Sequence, residues 1–282
     1  MTQEVETFNF KYLYDIFAKN SVRIFLFSLS LSIISMGFSF FFEKNYKSEA
    51  TIIASSSLGA QNSGLDGVSS LLGIGGSSDS RVIEAIAILQ SRDFISNFLF
   101  KYGLVNYVLK GSNLDLNNLR ASTDNSSREN FDKSEIDGLT GKFKKNFISI
   151  DQSDQDGLIL LSLSSRGAED SQIILSLIIE ELELVMKSRF LKDKQNSILS
   201  LEKILSESTD NNTKKIVESI YRSEKRSLIS GTIKSNLIFD VIDTPHLPAT
   251  FYYPSRLRFL IFGFILGLLS GYLYFFRKKI NS

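Results

Sequence analysis

The chain has 282 residues, with 32 Lys and Arg against 31 Asp and Glu, so its net charge of +1 offers no basic excess for binding nucleic acid. It has no cysteine, which excludes a disulfide framework, a thiolate nucleophile and a cysteine metal site. Its single histidine, His246, excludes a His-pair zinc site and leaves any Ser-His-Asp triad dependent on one residue between two prolines. So few catalytic groups point away from an enzyme, and no cofactor is expected. There is no internal repeat.

Residues 1–23 form a polar lead-in with Lys11, Lys19 and Arg23. Residues 24–42 (IFLFSLSLSIISMGFSFFF) carry no charge and are long enough to cross a bilayer. The stretch exceeds a usual signal-peptide core, and Glu43-Lys44-Asn45-Tyr46 offers no small-x-small cleavage site, so an uncleaved anchor is expected. Tyr46 to Ala54 (YKSEATIIA) has the β-branched, partly alternating pattern of a strand. Ser55 to Ser80 is a Ser/Gly-rich loop with an apolar patch at Val68, Leu71, Leu72 and Ile74. Its Gly73-Ile74-Gly75-Gly76 lacks the Gly-Lys-Ser/Thr of a phosphate loop.

Ser80 to Tyr102 reads as a helix stopped by Gly103, with Ile83, Ile86, Ala87 and Gln90 on one face and Phe94, Ile95, Phe98 and Leu99 continuing its apolar character. Gly111 to Lys133 is polar and reads as loop. Asn125-Ser126-Ser127 and Asn211-Asn212-Thr213 match the short glycosylation pattern. Asn146 to Asp151 and Gly157 to Ser164 read as two strands joined by a turn. Ala168 to Ser208 has no Gly or Pro and predicts a helix of roughly 60 Å. Along it Leu177, Leu184, Leu191, Ile198 and Leu205 recur every seven residues, a narrow seam for packing. TDNNT breaks this helix, and Lys214 to Ser230 predicts a second one folding back on it. Asn236 to Asp243 (NLIFDVID) is the last strand.

All three prolines follow it: Pro245, Pro248 and Pro254. They lack N–H donors and restrict the residues before them, giving a stiff extended link. Residues 259–276 carry no charge and at ~1.5 Å per residue make about 27 Å of helix, a second span. Residues 277–282 begin Arg277-Lys278-Lys279, which with Lys11, Lys19 and Arg23 places both termini in the cytoplasm and the domain of residues 43–258 outside the membrane. Tyr252 and Tyr253 read as interface anchors beside the second span. Gly263, Gly267 and Gly271 repeat at i, i+4 and i+8, and Ser28, Ser32, Ser35 and Ser39 line one face of the first span. Small residues let helices approach closely in lipid, so both faces are candidate packing surfaces. The expected architecture is α+β: two spans carrying an extracytoplasmic domain with a small mixed sheet and a long protruding helix.

This order of parts resembles the Wzz-type chain-length determinants, the polysaccharide co-polymerases of bacterial inner membranes. Tyr46-Lys47-Ser48-Glu49-Ala50 is similar to the family's first strand, and EAIAILQSRDF, with Ser91-Arg92, to its Ser-Arg segment. LILLSLSSRGAEDSQIILSLIIEE (158–181) resembles its strand and the start of its long helix. FDVIDTPHLPATFYYP (239–254) resembles its final strand and proline-rich entry to the second span. The chain is short for the family, residues 103–146 match nothing in it, and the absence of a Walker lysine motif resembles the kinase-free branch. The resemblance implies a non-catalytic, homo-oligomeric ring with a periplasmic body. It would set the length of O-antigen or a related polysaccharide beside a separate polymerase, with the lipid bilayer and the growing polymer as further partners.

Three rival readings stand beside it. A component of capsule or exopolysaccharide export shares the layout. A sensor would need an output domain, for which 277–282 leaves no room. A membrane-bound hydrolase would depend on His246.

Overall fold

The computed structural model describes residues 10–55, 78–111, 114, 131–153, 157–234 and 237–280. The apolar patch at Val68 to Ile74, the glycine run at 73–76 and the triplet at Asn125 lie outside the described residues. The chain forms two compact units: residues 46–249, and the two ends, up to Asn45 and from Thr250 onward.

The unit made by the chain ends is a helix pair. Helix α1 spans Phe10–Phe38 and is extended by a 3-10 turn at Ser39–Phe41; helix α8 spans Arg256–Ile280. The expected polar lead-in is therefore already helical from Phe10, and the apolar stretch continues it. The segments long and apolar enough to cross a membrane are Asn20–Phe41 and Arg256–Phe275. Only 22% and 17% of their most apolar windows is buried, whereas the core helix of a water-soluble protein would be mostly covered. Phe25, Leu26, Ile33, Phe262, Leu269 and Leu273 all stand exposed, an outer surface that suits hydrocarbon and not water.

The larger unit is built on a four-stranded sheet: β1 (Tyr46–Ala54), β2 (Ile148–Gln152), β3 (Leu158–Ser165) and β4 (Phe239–Asp243), in the order β2-β3-β1-β4. All three pairings are antiparallel, where a mixed sheet was expected. The cause is topological. β3 and β4 run in the same direction and are joined by a helical crossover, the arrangement that normally makes parallel neighbours. Here β1 lies between them and pairs antiparallel with each. Its alternation is the clearest in the chain: Ser48, Ala50, Ile52 and Ala54 point into the core.

The stretch expected as one helix from Ser80 is two, α2 (Ser78–Gln90) and α3 (Arg92–Lys101), broken at Ser91. Ser91 is extended, and its hydroxyl accepts from the Phe94 N–H at 3.2 Å, so it caps α3. The covered face of α2 is Val82, Ala85, Ile88 and Leu89; Ile83 is exposed. Replacing Ser91 by alanine removes the cap at a cost of about 1 kcal/mol, and Ser91→Asp retains it. In a thermal melt of the full chain in detergent, that is a Tm lower by about 2–4 °C for alanine only.

Among the described residues of the region that matched nothing in sequence are two further helices, α4 (Val105–Lys110) and α5 (Lys133–Asn146). They close an aromatic cluster in which Phe98 meets Phe94, Tyr102 and Phe143, and Phe143 stacks on Phe147. Such contacts contribute beyond the area they bury, and they tie α3 and α5 to the start of β2.

The expected long helix is α6, Ala168–Glu207, and the helix folding back on it is α7, Asn211–Ile233. Asp210 caps α7, accepting from the Thr213 N–H at 2.9 Å and the Thr213 hydroxyl at 2.8 Å. The first half of α6 covers the sheet with Ser171, Leu175, Ile178, Leu182 and Met186. Further along, Ile198 and Leu201 turn to α7, where Val217 is buried.

Candidate functional site

Of the glycines and serines singled out from the sequence, Gly263 and Gly267 meet Ser28, Ser32 and Ser35 across the helix pair, while Gly271 meets Ile24 and Phe27. A Cβ built on Gly267 would stand 2.5 Å from the Ser28 Cα and 3.2 Å from its carbonyl oxygen. One built on Gly263 would stand 2.5 Å from the Ser35 Cβ and 3.0 Å from the Leu31 carbonyl. At Gly271 the nearest atoms, in Ile24 and Phe27, are 3.4 Å away. The approach is therefore tightest at Gly263 and Gly267 and relaxes at Gly271. Gly263, Gly267, Gly271, Ser28, Ser32 and Ser39 are buried, while Ser35 is half-buried.

The serines also hydrogen-bond there. Ser32 donates to the Leu260 carbonyl and Ser35 to the Phe259 carbonyl, both at 2.8 Å. Those carbonyls belong to the other helix and have a second lone pair to offer. Ser28 instead donates to the Ile24 carbonyl of its own helix at 2.7 Å, which leaves its Cα free to receive Gly267. Phe25 and Phe264 meet edge to face at 5.9 Å between ring centres.

Where α1 ends and α8 begins, aromatic rings and cations gather. The Arg256 guanidinium lies 4.8 Å from the centre of Phe40 and 5.3 Å from that of Phe251, and Lys44 lies 5.7 Å from Phe251. Asn45 and Tyr253 form a β-bridge, and the Asn45 N–H donates to the Tyr253 carbonyl at 2.9 Å. Tyr252 and Tyr253 are exposed, in keeping with amphipathic rings at a membrane interface. Pro254 follows the Tyr253 cis peptide and is buried.

Pro245 and Pro248 belong to the larger unit. The Pro245 carbonyl accepts from the Gln172 side-chain amide at 3.0 Å, and the His246 carbonyl accepts from the Ser48 hydroxyl at 2.8 Å. The strand-to-proline segment is thus held to α6 and to β1 by its backbone. The His246 side chain is exposed, and among the described residues no three His, Cys, Asp or Glu side chains gather as metal ligands would.

The five seam residues of α6 do not share one environment. Leu177 and Ile198 are buried, Leu191 and Leu205 half-buried, and Leu184 exposed. A seven-residue repeat drifts by about 20° per heptad on a straight helix. The covered side of α6 moves further than that, because its first half faces the sheet and its second half faces α7. Leu184 falls on neither side. What lies on the α7 side, and what the heptad missed, is a buried ion pair. Lys194 and Glu224 approach to 2.9 Å with side chains 15% and 7% exposed. Truncating one partner of such a pair leaves the other charge uncompensated.

Sequence reading also missed Glu183. Its carboxylate accepts three successive backbone N–H groups, from Leu237 at 2.6 Å, Ile238 at 2.9 Å and Phe239 at 3.0 Å. It fastens the middle of α6 to the first residue of β4. No local motif announces it, since the donors lie more than fifty residues downstream. At the start of α6, burial pushes the Tyr107 hydroxyl up to about 12 and raises the Asp170 carboxyl that accepts its hydrogen bond at 3.1 Å. Tyr107 therefore stays a neutral donor, a structural tie between α4 and α6.

No family model matches the sequence, and no curated protein matches it. Among solved structures, a full-length bacterial polysaccharide co-polymerase is similar at 13% identity, over 95% of this chain and 96% of its own, with a TM-score of 0.43. A fragment of WzzB, the polysaccharide co-polymerase from Salmonella Typhimurium, is 17% identical over 75% of this chain and 100% of its own, with a TM-score of 0.33. A point mutant of WzzBSF, the lipopolysaccharide O-antigen chain-length regulator of Shigella flexneri, is 11% identical over 74% of this chain and 100% of its own, with a TM-score of 0.31.

Proposed function

We propose that this protein is a non-catalytic regulator of polysaccharide chain length, for lipopolysaccharide O-antigen or a related surface polysaccharide. It acts as a homo-oligomer in the bacterial inner membrane beside a separate polymerase. One observation carries the reading. The sequence segments that resemble the co-polymerases are far apart in the chain, yet three of them and the strand of the fourth converge in one unit: β1 lies between β3 and β4, and α2 packs on both β1 and α6. The segment leaving the first apolar helix is thereby paired with the segment returning to the second. Basic residues flanking the other ends of those helices put both termini in the cytoplasm and this unit in the periplasm. The helix pair anchors it through Gly263 and Gly267 against the serines of α1 and Gly271 against Ile24 and Phe27, and the long α6–α7 hairpin offers surface for other subunits.

The test is the length profile of surface polysaccharide on a gel, in a host deleted for the gene and then complemented. Loss of a modal cluster of lengths with polymer still made, restored by the gene, is the expected result. Loss of all surface polymer would assign the protein to export instead. A profile unaltered by deletion would reject both.

A further inference from the structure

At the end of the helix pair nearest Arg277, α1 and α8 part to leave a groove of about 420 Å³, lined by Arg23, Phe27, Ser270, Gly271, Tyr274 and Phe275. The parting follows the glycine series. The approach that is tightest at Gly263 and Gly267 has relaxed to ordinary contact at Gly271, where a Cβ would stand 3.7 Å from the Ile24 Cα, and Gly271 brings no side chain to fill the space beyond it. The walls are almost wholly apolar. The Ser270 hydroxyl is turned onto its own helix, donating to the Leu266 carbonyl at 2.7 Å. Arg23 supplies the one charge among these lining residues. It sits in the first turn of the Asn20–Phe41 apolar segment, while Tyr274 and Phe275 close the Arg256–Phe275 segment. The groove therefore opens at headgroup depth, and in the sequence the basic run Arg277-Lys278-Lys279 follows its last lining residue, Phe275, after one residue.

The geometry points to a site for an anionic glycerophospholipid, its phosphate on Arg23 and a stretch of one acyl chain along the aromatic walls. An apolar slot ending in a cation selects that chemistry. A zwitterionic lipid fills the slot equally well but gains less from the guanidinium, and basic pockets between spans on the cytoplasmic side are where acidic headgroups bind. The site rests on the membrane-spanning reading above. It adds to that reading a preference for one lipid class at one end of the helix pair.

The chain has no tryptophan, so Tyr274→Trp places a single fluorophore in the groove. Tyr274 is exposed enough for the exchange to be tolerated. The full chain carrying it is reconstituted into vesicles containing brominated phosphatidylglycerol or brominated phosphatidylcholine. The expected result is quenching about fivefold more effective per mole for phosphatidylglycerol. That preference falls to about one in Arg23→Gln and survives in Arg23→Lys. A second probe, Phe262→Trp on the exposed face far from the groove, shows no preference. Equal quenching of the groove fluorophore by the two lipids overturns the site, as does a preference that Arg23→Gln leaves intact, because the terminal basic run then suffices. Absence of quenching by either lipid at both positions would instead overturn the membrane-spanning reading itself.

Discussion

Replacing Gly267 by leucine is expected to separate the two apolar helices, and replacing Gly271 by alanine is expected to leave them paired. The difference follows from what the added atoms meet. At Gly267 the first added carbon already falls on the Ser28 backbone, 2.5 Å from its Cα, and backbone cannot rotate away. At Gly271 the same carbon meets side-chain atoms of Ile24 and Phe27 at 3.4 Å, an ordinary contact. Gly263→Leu should behave like Gly267→Leu, because its Cβ meets the Ser35 Cβ and the Leu31 carbonyl. Separation also breaks the bonds from Ser32 and Ser35 to the opposite carbonyls, each worth roughly 0.6 kcal/mol in such settings. Packing supplies more of the association than these bonds do, so Ser32→Ala should weaken the pair less than Gly267→Leu. Because the chain lacks cysteine, spin labels can be placed at Ile33→Cys and Phe262→Cys, both exposed positions. The native chain should give one narrow distance distribution. In Gly267→Leu it should broaden or lengthen by at least ~2 Å, a large step against interaxial distances of about 8–10 Å. An unchanged distribution would show that the glycines are not what holds these helices together.

How much of this was legible in the sequence depended on how local its cause is. The strand Tyr46–Ala54 was readable to the residue, since its alternation and its β-branched run sit inside it. The long helix was readable because nothing in it breaks a helix. The glycine face was readable because spacing alone places Gly263, Gly267 and Gly271 on one side. Helix α5 went unseen although its signals were present: Asp132 and Glu135 form a capping box, and Ile136, Leu139, Thr140 and Phe143 mark a buried face. Gly138, Gly141 and a dense run of lysines masked them. The break at Ser91 was also in plain view, as a serine three residues before the Phe94 whose N–H it caps. By contrast the seam failed for a tertiary reason. Periodicity assumes one partner along the whole helix, whereas α6 has two, and Leu184 belongs to the side that neither covers. The directions of the strands, the Lys194–Glu224 pair and the Glu183 contacts all join residues distant in sequence, and no local pattern encodes them.

Glu183 is where the second large effect is expected: Glu183→Ala should destabilise the larger unit by about 3–5 kcal/mol, far more than an exposed carboxylate normally contributes. Leu237, Ile238 and Phe239 are almost wholly buried, so the N–H groups that the carboxylate serves have little access to water. Leaving a buried donor without an acceptor costs about 1–3 kcal/mol, and three adjacent ones will not add fully. Glutamine separates the contributions. Its one carbonyl oxygen can keep the Leu237 and Ile238 N–H groups, but its NH2 then confronts the Phe239 N–H, donor against donor. Glu183→Gln should therefore fall between the native chain and alanine. Glu180, one turn away on the exposed side, is the control, and Glu180→Gln should lie within about 0.5 kcal/mol of native. The measurement is denaturant unfolding of the full chain in detergent, followed by the far-ultraviolet signal. The effect should also be local before it is global. Phe239 opens β4, and β4 leads into Pro245 and Pro248, so hydrogen exchange at residues 239–243 should accelerate in Glu183→Gln before the rest of the sheet does. If the unit regulates polymer length through the strand that returns to the membrane, the same variant should shift the modal length while the protein is still folded and inserted. A normal length profile with β4 measurably loosened would show that this strand does not transmit the regulation.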